Sequence, residues 1–373
     1  MDIQKHIQSV LPKLHDMPEP AFKEVRTAAF MAEFLRDLGF YVSENVGDTT
    51  AVVAVLESGK PGPTVAVRTD MDCLLFKQED NTLLPLHACG HDGHMTVALG
   101  TAQLLKEWGL SCGKVKILCQ PAEEIGKGAL TLLNAGALDD IDYVLGYHVM
   151  PQDMAKSGQI IAQINWTACT LIEGEIRGLA AHGSQPHLGI NAIDAGAAIV
   201  AAVNALHSNP LLGGSVKTTR FLGGAGSLNA ICDKVNIGFD LRSTSNEEML
   251  KLREKVKNIV VDTAKVYGAE ADCRIVGTCP AAEADSSLLA LTQEVIIDEL
   301  GNDGLIPTAN ITVGEDFNFF KQKRPLLKTV SLGIGCNLQP GLHDRNMHFE
   351  HEALENAIVV LTRLVQRILV EKP

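Results

Sequence analysis

Four short runs of apolar residues constrain the fold of this chain more than any other feature of its sequence. Continuous apolar runs of this length are typical of strands that are buried on both faces of a sheet. The runs are Thr50–Leu56, Thr64–Arg68, Val115–Cys119 and Tyr143–Tyr147. A segment with apolar residues at helical spacing, about Gly93–Trp108, separates the second run from the third. Strands that alternate with helices in this way predict an α/β domain with a mostly parallel sheet.

The pattern changes near residue 169 and returns to its first form near residue 284. Between these points the predicted order is strand, helix, strand, strand, helix, strand, which is that of a ferredoxin-like α+β unit. These elements are Thr170–Ile176, Leu188–Leu206, Val216–Leu222, Val235–Leu241, Glu247–Tyr267 and Ala269–Val276. Beyond them we predict a helix over Ser287–Leu300, a buried strand over Lys328–Ile334 and a closing helix over Glu350–Glu371.

The length of the chain also predicts two domains. A chain of 373 residues exceeds the size at which a single core usually keeps growing. We therefore predict a catalytic domain made of residues 1–168 and 284–373, interrupted by an inserted domain of residues 169–283. The first 40 residues are predicted to be helical, with one helix over Ala21–Gly39.

Composition and charge exclude several classes of function. The net charge is −13 and no basic stripe is present, so nucleic acid is not an expected partner. No run of about 20 apolar residues occurs, so no membrane span is expected. Nine cysteines are scattered singly and the first residues do not resemble a signal peptide, which favours a reducing cytoplasm.

Candidate catalytic groups follow the predicted strands. Ligands bind at the carboxyl ends of strands in open α/β sheets, so side chains that follow different strands are expected at one edge. Four strands are followed there by carboxylates or imidazoles: Asp70 and Asp72, Glu123 and Glu124, His148, and His343. The sequence therefore predicts a site at the carboxyl edge of the sheet.

The segment His87–His94 is the densest group of potential metal ligands. A thiolate and a neutral imidazole are good ligands for a divalent metal of intermediate softness, and Cys89 and His91 supply them. We expect Asp92 to orient an imidazole, and His94 could be a further ligand by its spacing. Single cysteines and histidines are usually structural, but the clustering of these residues favours a metal site.

The pair Glu123-Glu124 predicts hydrolytic chemistry. Two adjacent acids are often only a solvated loop, but these follow a proline at the end of a buried strand. Adjacent residues point in different directions, so one can hold a metal while the other faces a water molecule. Metals lower the pKa of water and polarise a carbonyl, and a neighbouring glutamate can move the proton. We assign Glu124 as ligand and Glu123 as general base and acid.

Taken together, these motifs give the chain a family resemblance. It resembles the dinuclear-zinc peptidase family of aminoacylases, glutamate carboxypeptidase and succinyl-diaminopimelate desuccinylase. Within it, the chain is similar to the amidohydrolase subgroup of hippurate hydrolases, N-acetyl-diaminopimelate deacetylases and plant auxin-conjugate hydrolases. The matching segments run in family order and are 17–20, 68–72, 87–92, 120–124, 146–148, 181–187, 314–317 and 341–343.

The resemblance implies a complete catalytic apparatus. It implies a zinc-exopeptidase-like catalytic domain that cleaves N-acyl amino acids with two divalent ions, zinc or manganese, with cobalt or nickel as further options. The implied ligands are Cys89, His91, Glu124, His148 and His343. It also implies that Glu123 is the base and that the insert is a lid and dimerisation domain of a homodimer.

Three residues of the insert also receive roles from the resemblance. His182 would reach the partner's active site and stabilise the oxyanion, while Asn229 and Arg242 would hold the substrate carboxylate. A surface histidine and a solvated arginine are the alternatives for His182 and Arg242. Cys232 stands where the family has proline, so the loop near Asn229 could be held differently.

Two other functions stay open at this point. One is a dipeptidase or carboxypeptidase of the same family, which would act beside a free amino group. The other is a binding protein that keeps the fold without catalysis. Activity on N-acyl amino acids and on dipeptides would separate these functions.

Overall fold

The computed structural model describes residues 1–209, 212–224 and 226–373 of the chain. These residues form two compact units. The first contains Met1–Asn165, Glu283–Asn310 and Asp316–Pro373, and the second contains Trp166–Ala282 and Ile311–Glu315.

Helices and strands alternate along most of the chain. The α-helices are α1 (Ile3–His15), α2 (Val25–Asp37), α3 (His91–Trp108), α4 (Gly128–Asn134), α5 (Ala192–Asn204), α6 (Asn246–Val266), α7 (Ser286–Leu300), α8 (Asn318–Lys323) and α9 (Leu354–Glu371). The strands are β1 (Tyr41–Val46), β2 (Ala51–Glu57), β3 (Thr64–Asp70), β4 (Leu74–Lys77), β5 (Leu83–Leu86), β6 (Lys114–Gln120), β7 (Tyr143–Pro151), β8 (Ile160–Ile161), β9 (Ile164–Trp166), β10 (Ala168–Arg177), β11 (Gly214–Gly223), β12 (Lys234–Ser243), β13 (Glu270–Cys279), β14 (Leu305–Ile306), β15 (Ala309–Ile311) and β16 (Lys328–Leu338).

The first unit contains an eight-stranded sheet in the order β1-β2-β6-β3-β7-β16-β8-β14. Its centre is parallel, because β6, β3, β7 and β16 all run in one direction. Antiparallel pairs flank this centre, since β2 is antiparallel to β6 and β8 is antiparallel to β16. The predicted α/β fold is thus confirmed, with a parallel centre and mixed edges. The carboxyl ends of the four central strands lie along one edge of the sheet, which is the edge where the sequence predicts the candidate catalytic groups.

Three helices meet closely beside this sheet. Residues of α1, α3 and α9 belong to one buried apolar cluster together with the central strands. Gly100 of α3 has no room for a side chain, because a Cβ there would lie 2.6 Å from Ile358 Cδ1 and 3.2 Å from His6 Cδ2. The glycine therefore permits the close approach that fixes α3, and with it the segment that carries Cys89 and His91.

The second unit is the predicted ferredoxin-like fold. Its four strands pair antiparallel in the order β11-β12-β10-β13, with α5 and α6 as the two helices. Residues alternate along β10 between buried and less buried positions, and Ile172 and Ile176 lie in a core shared with both helices. One face of the sheet therefore packs on the helices and the other does not.

Several predicted boundaries were wrong by a few residues, for local reasons. The helix predicted from Ala21 begins at Val25, because Phe22 has a left-handed backbone with φ of 60° and donates its N–H to Glu24. The helix predicted from Leu188 begins at Ala192, where the side chain of Asn191 caps it. The β4–β5 hairpin was not predicted; it lies between Asp72 and the segment His87–His94.

Candidate active site

The five predicted metal ligands lie together in the first unit. His91 is the first residue of α3, Cys89 precedes it by two residues, and His148 lies within β7. Glu124 is in the loop after β6, and His343 is in the loop after β16. Three separate connections between strands and helices, together with strand β7, therefore supply these side chains to one edge of the sheet.

The ligand atoms fall into two groups that share Cys89. The ligand atoms of Cys89, His91 and His148 lie within 4.8 Å of one another, and those of Cys89, Glu124 and His343 do so as well. Cys89 Sγ is 3.4 Å from His148 Nε2, and Glu124 Oε2 is 3.7 Å from His343 Nε2. His91 Nε2 is 3.8 Å from Glu124 Oε1, which joins the two groups. The arrangement offers two adjacent positions for cations.

The hydrogen bonding of His91 fits a bound cation. Its Nδ1 lies 2.7 Å from the carbonyl oxygen of Asp72, so this nitrogen carries the proton and Nε2 carries the lone pair. Nε2 is buried and has no hydrogen-bond partner among the described residues. It faces the carboxylates of Asp70 and Glu124, each 3.8 Å away. Lone pairs that face one another in a buried site are stabilised by a cation, and these separations suit bonds of about 2.0–2.3 Å to zinc.

Burial keeps the candidate imidazole ligands neutral. It lowers the pKa of His91 to about 3 and holds the pKa of His148 well below its usual range. Burial also lowers the pKa of His343. Metals bind the neutral form of imidazole, so these three side chains are in the required protonation state at neutral pH.

His94 supports the site without acting as a ligand. It lies close enough to Asp70 and His91 to share an ion with them, but both of its ring nitrogens are engaged elsewhere. Its Nδ1 is 2.7 Å from Asp70 Oδ1, and its Nε2 accepts the N–H of Val149 at 3.0 Å. Because Val149 follows His148 in β7, His94 fixes the backbone beside a candidate ligand.

A buried ion-pair chain continues from Asp70. The guanidinium of Arg68, 1% exposed, donates to Asp70 at 2.6 Å and to Asp316 at 3.0 Å. Burial opposes the ionisation of Asp70, but its interactions with neighbouring groups, including the permanent charge of the Arg68 guanidinium, outweigh burial and hold the pKa of Asp70 well below the usual range. These ion pairs therefore keep the carboxylate of Asp70 anionic beside the site.

Two buried carboxylates hold the loop that carries Glu123 and Glu124. Asp72 accepts the backbone N–H of Glu123 at 3.0 Å with one oxygen and that of Glu124 at 3.1 Å with the other. Glu24 accepts the N–H of Ala122, which has a left-handed φ of 55°. Burial, and then the charge of Glu124, raises the pKa of Asp72 well above its usual value.

Asp72 supports the site, although its place in the sequence predicted no specific role for it. Its side chain positions both glutamates and its carbonyl positions His91, so one residue holds three parts of the site. Its position could have indicated such a role, since Asp72 lies two residues beyond a buried strand and so at the edge of the sheet where the candidate ligands lie. The expectation for Asp92 was wrong: its carboxylate lies 2.7 Å from Nδ1 of His15 in α1, so it does not orient a candidate ligand.

The three candidate residues of the second unit do not lie together. Gly183 N donates to the carbonyl oxygen of Asn229 at 2.6 Å, so His182 and Asn229 share one corner of the unit. Arg242 is at the other end of β12, beside Asp240. A strand rises about 3.3 Å per residue, so the eight steps from Lys234 to Arg242 span about 26 Å.

Thiol, imidazole and carboxylate donors around two adjacent positions, with another glutamate beside them, define a metal-dependent hydrolase. The model of peptidase family M20/M25/M40 matches residues 66–367. The chain belongs to peptidase family M20/M25/M40.

Known relatives of similar size support this assignment. Thermostable carboxypeptidase 1 of Saccharolobus solfataricus is 32% identical, over 87% of this chain and 85% of its own length. N-acetyl-L-cysteine deacetylase of Bacillus subtilis is 29% identical, over 87% of this chain and 79% of its own. The crystal structure of a Bacillus subtilis dinuclear metal-binding peptidase of the M20 family has a TM-score of 0.84 and 25% identity, with 98% of both chains covered.

The predicted class, a metal-dependent amidohydrolase of this family, is thus confirmed. Among the described residues, no helix is both long and apolar enough to cross a membrane.

Replacing Asp72 tests the support that it gives to the site. Asp72→Asn should lower metal affinity about 10- to 100-fold, because the amide cannot accept both backbone N–H groups. Competition with a fluorescent chelator measures this affinity. Asp80→Asn, at an exposed position of the β4–β5 hairpin, is the control and should not change it. If folded Asp72→Asn protein bound metal with unchanged affinity, Asp72 would not support the metal site.

Proposed function

We propose that this chain hydrolyses the amide bond of small N-acyl amino acids at a site with two divalent ions. Cys89, His91 and His148 would hold one ion, and Cys89, Glu124 and His343 the other. The observation that carries this proposal is the pair of ligand groups that share the sulfur of Cys89. A shared thiolate would place the two ions side by side, which is the arrangement that two-metal hydrolysis uses.

Glu123 is proposed as general base and acid. Its carboxylate belongs to a group with the imidazole of His91 and the carboxylate of Glu124, and the ligand atoms of these three residues lie within 4.8 Å of one another. The ions, when bound, would lower the pKa of water and polarise the substrate carbonyl. Glu123 would take the proton from the attacking water and pass it to the departing amine, so that the amide C–N bond breaks and a carboxylic acid and an amine are released.

The metals are proposed to be zinc or manganese, with cobalt or nickel also able to support activity. One thiolate and three imidazoles favour zinc on chemical grounds. The two carboxylate oxygens of Glu124 are equally suited to manganese, so the donor set alone allows both ions.

Arg242 is proposed to bind the substrate carboxylate together with Asn229 from the second chain of a homodimer, because Asn229 of the same chain lies beside His182, before the start of β12. The guanidinium has five N–H groups. Asp240 accepts two of them, at 2.7 and 3.0 Å, and the carbonyl of Thr312 accepts a third at 3.2 Å. The remaining two N–H groups match the two oxygens of a carboxylate. Asp240 would fix the orientation of the guanidinium during binding.

His182 is proposed to stabilise the oxyanion in the active site of a partner subunit. Its Nδ1 accepts the N–H of Ser184 at 3.1 Å, so in the neutral ring the proton is on Nε2, which can donate to an oxyanion. Arg242 lies near the end of β12, whereas His182 pairs with Ala230 before the start of that strand, so one substrate would not contact both residues of the same chain. This separation supports a homodimer in which the inserted unit serves as lid and dimerisation domain.

A cytoplasmic location is also proposed. All nine cysteines are present as thiols without a disulfide, as is usual in a reducing compartment.

A second candidate function is carboxypeptidase or dipeptidase activity. The similarity to the Saccharolobus solfataricus carboxypeptidase favours it. The similarity to N-acetyl-L-cysteine deacetylase favours deacylation, and we give this function precedence because it agrees with the subgroup that the motifs resemble.

A substrate panel separates these functions. We expect the metal-loaded protein to release amine from N-acetyl amino acids faster than from dipeptides or from peptides cleaved at their carboxyl end. Assays with zinc, manganese, cobalt and nickel would identify the supporting metal. Faster cleavage of peptides would favour the second candidate, and no turnover of either class would favour a binding role.

The adjacent glutamates provide a matched pair of variants. Glu123→Gln should lower kcat by about 10²- to 10⁴-fold and keep the metal content, because it removes only the proton carrier. Glu124→Gln should lower the metal content, because it removes a ligand. Elemental analysis and initial rates measure both effects. Normal turnover by Glu123→Gln would exclude this glutamate as the base.

Subunit mixing tests the role of His182. The variants Glu123→Gln and His182→Ala should each be nearly inactive, but a 1:1 mixture refolded together should recover about a quarter of wild-type activity. Half of the dimers would then be mixed, each with one complete site made from residues of both chains. If His182 acted within its own chain, every site would stay defective and the mixture would stay inactive.

A further inference from the structure

Two cysteines lie directly opposite each other on neighbouring strands of the second unit. Cys169 in β10 and Cys279 at the end of β13 are Cα partners in an antiparallel pair. Such partners project to the same face of a sheet with Cα atoms about 4.5–5.5 Å apart. Disulfides span Cα separations of about 4.4–6.8 Å, so the register allows a bond without a shift of either strand.

The surroundings leave room for both sulfurs and keep them accessible. A Cβ at Gly314 would lie 3.0 Å from Cys169 Sγ and 3.1 Å from Cys279 Cβ, so the missing side chain at this position makes space beside the pair. Cys169 and Cys279 are both half-buried, whereas Cys73, Cys89, Cys119, Cys232 and Cys336 are buried. A small oxidant can therefore reach the pair more easily than it can reach most of the other thiols.

Neighbouring groups activate Cys169. A hydrogen bond from the Cys279 thiol, and then the positive charge of Arg242, lowers the pKa of Cys169. Arg242 is the Cα partner of Cys169 on its other side, in β12, so arginine and the two cysteines form one row across three strands. The thiolate is the reactive form of cysteine. In contrast, burial raises the pKa of Cys273, whose partner in β10 is Gly174.

We propose that Cys169 and Cys279 are a redox-modification site at which a hydroperoxide forms a reversible disulfide between β10 and β13. The Cys169 thiolate attacks the peroxide, the O–O bond breaks, and a sulfenic acid and water or an alcohol are produced. The Cys279 sulfur then attacks the Cys169 sulfur, the S–O bond breaks and water leaves. Two thiols are oxidised to one disulfide, and the hydroperoxide is reduced.

The bond would join two strands near the points where the chain enters and leaves the unit. The unit begins at Trp166, three residues before Cys169, and its first segment ends at Ala282, three residues after Cys279. The N–H of Ala282 donates to the carbonyl of Trp166 at 3.0 Å, so these segments are already paired. The disulfide would oppose their separation, and its partial exposure would allow thiols to reduce it again.

Peptide mapping of the full-length, metal-loaded protein tests this proposal. The protein is treated with increasing hydrogen peroxide, the remaining thiols are alkylated, and the digest is analysed by mass spectrometry. We expect a linked Cys169–Cys279 peptide at doses that leave Cys273 alkylated, and its loss after dithiothreitol. Iodoacetamide at neutral pH should modify Cys169 at least about 10-fold faster than Cys273.

The variants give the controls. Cys279→Ser should abolish the linked peptide, and Cys273→Ser, on the same strand without an opposing thiol, should leave it unchanged. Recovery of Cys169 and Cys279 from oxidised wild-type protein as separate peptides, alkylated or as sulfinic acids, would overturn the proposal. Because the wild-type map is decisive alone, a variant that fails to fold does not alter the outcome.

Discussion

The site depends on one constraint: electron-pair donors from several strands and loops lie close together in a buried region. Nε2 of His91 faces the oxygens of Glu124 and Asp70, and the sulfur of Cys89 lies against the imidazole of His148. Bringing such atoms together in a low-dielectric interior lowers the stability of the fold unless a cation compensates their negative charge and lone pairs. Metal binding and the stability of this edge of the sheet are therefore expected to be linked.

The residues around the donors limit the ways in which the site can relax. Asp72 holds the backbone of both glutamates and the ring of His91, while His94 holds the backbone of β7 beside His148. Arg68 forms ion pairs with Asp70 and Asp316 in the interior, so this support is itself an ion-pair chain. Because the supporting groups are buried and already paired, the ligand positions are largely set before a metal binds.

Much of the site could be predicted from the sequence because its residues follow strands or, in the case of His148, lie in the second half of one. Continuous apolar runs predict buried parallel strands, and the rule that such strands end at one edge then brings Glu124, His148 and His343 together. The supporting residues were harder to find, because Asp72 and Glu24 act through backbone N–H groups that no sequence pattern identifies. The expectation for Asp92 failed since its partner, His15, is distant in sequence and approaches only when α1 packs against α3.

Helix ends were also less predictable than helix existence. Left-handed Phe22 delays the start of α2, and the side chain of Asn191 sets the start of α5. Both features are decided by local hydrogen bonds rather than by apolar periodicity. The ferredoxin-like order of the second unit, in contrast, follows from strand and helix periods alone, and it was correct.

Anomalous scattering from crystals of the metal-loaded protein would locate the two ions relative to Cys89. Data collected on both sides of the absorption edge of the bound metal should show two peaks, both within bonding distance of Cys89 Sγ, at about 2.3 Å for zinc. One peak should also contact His91 and His148, and the other Glu124 and His343. An absence of anomalous density near Cys89 in protein that retains metal would contradict the account.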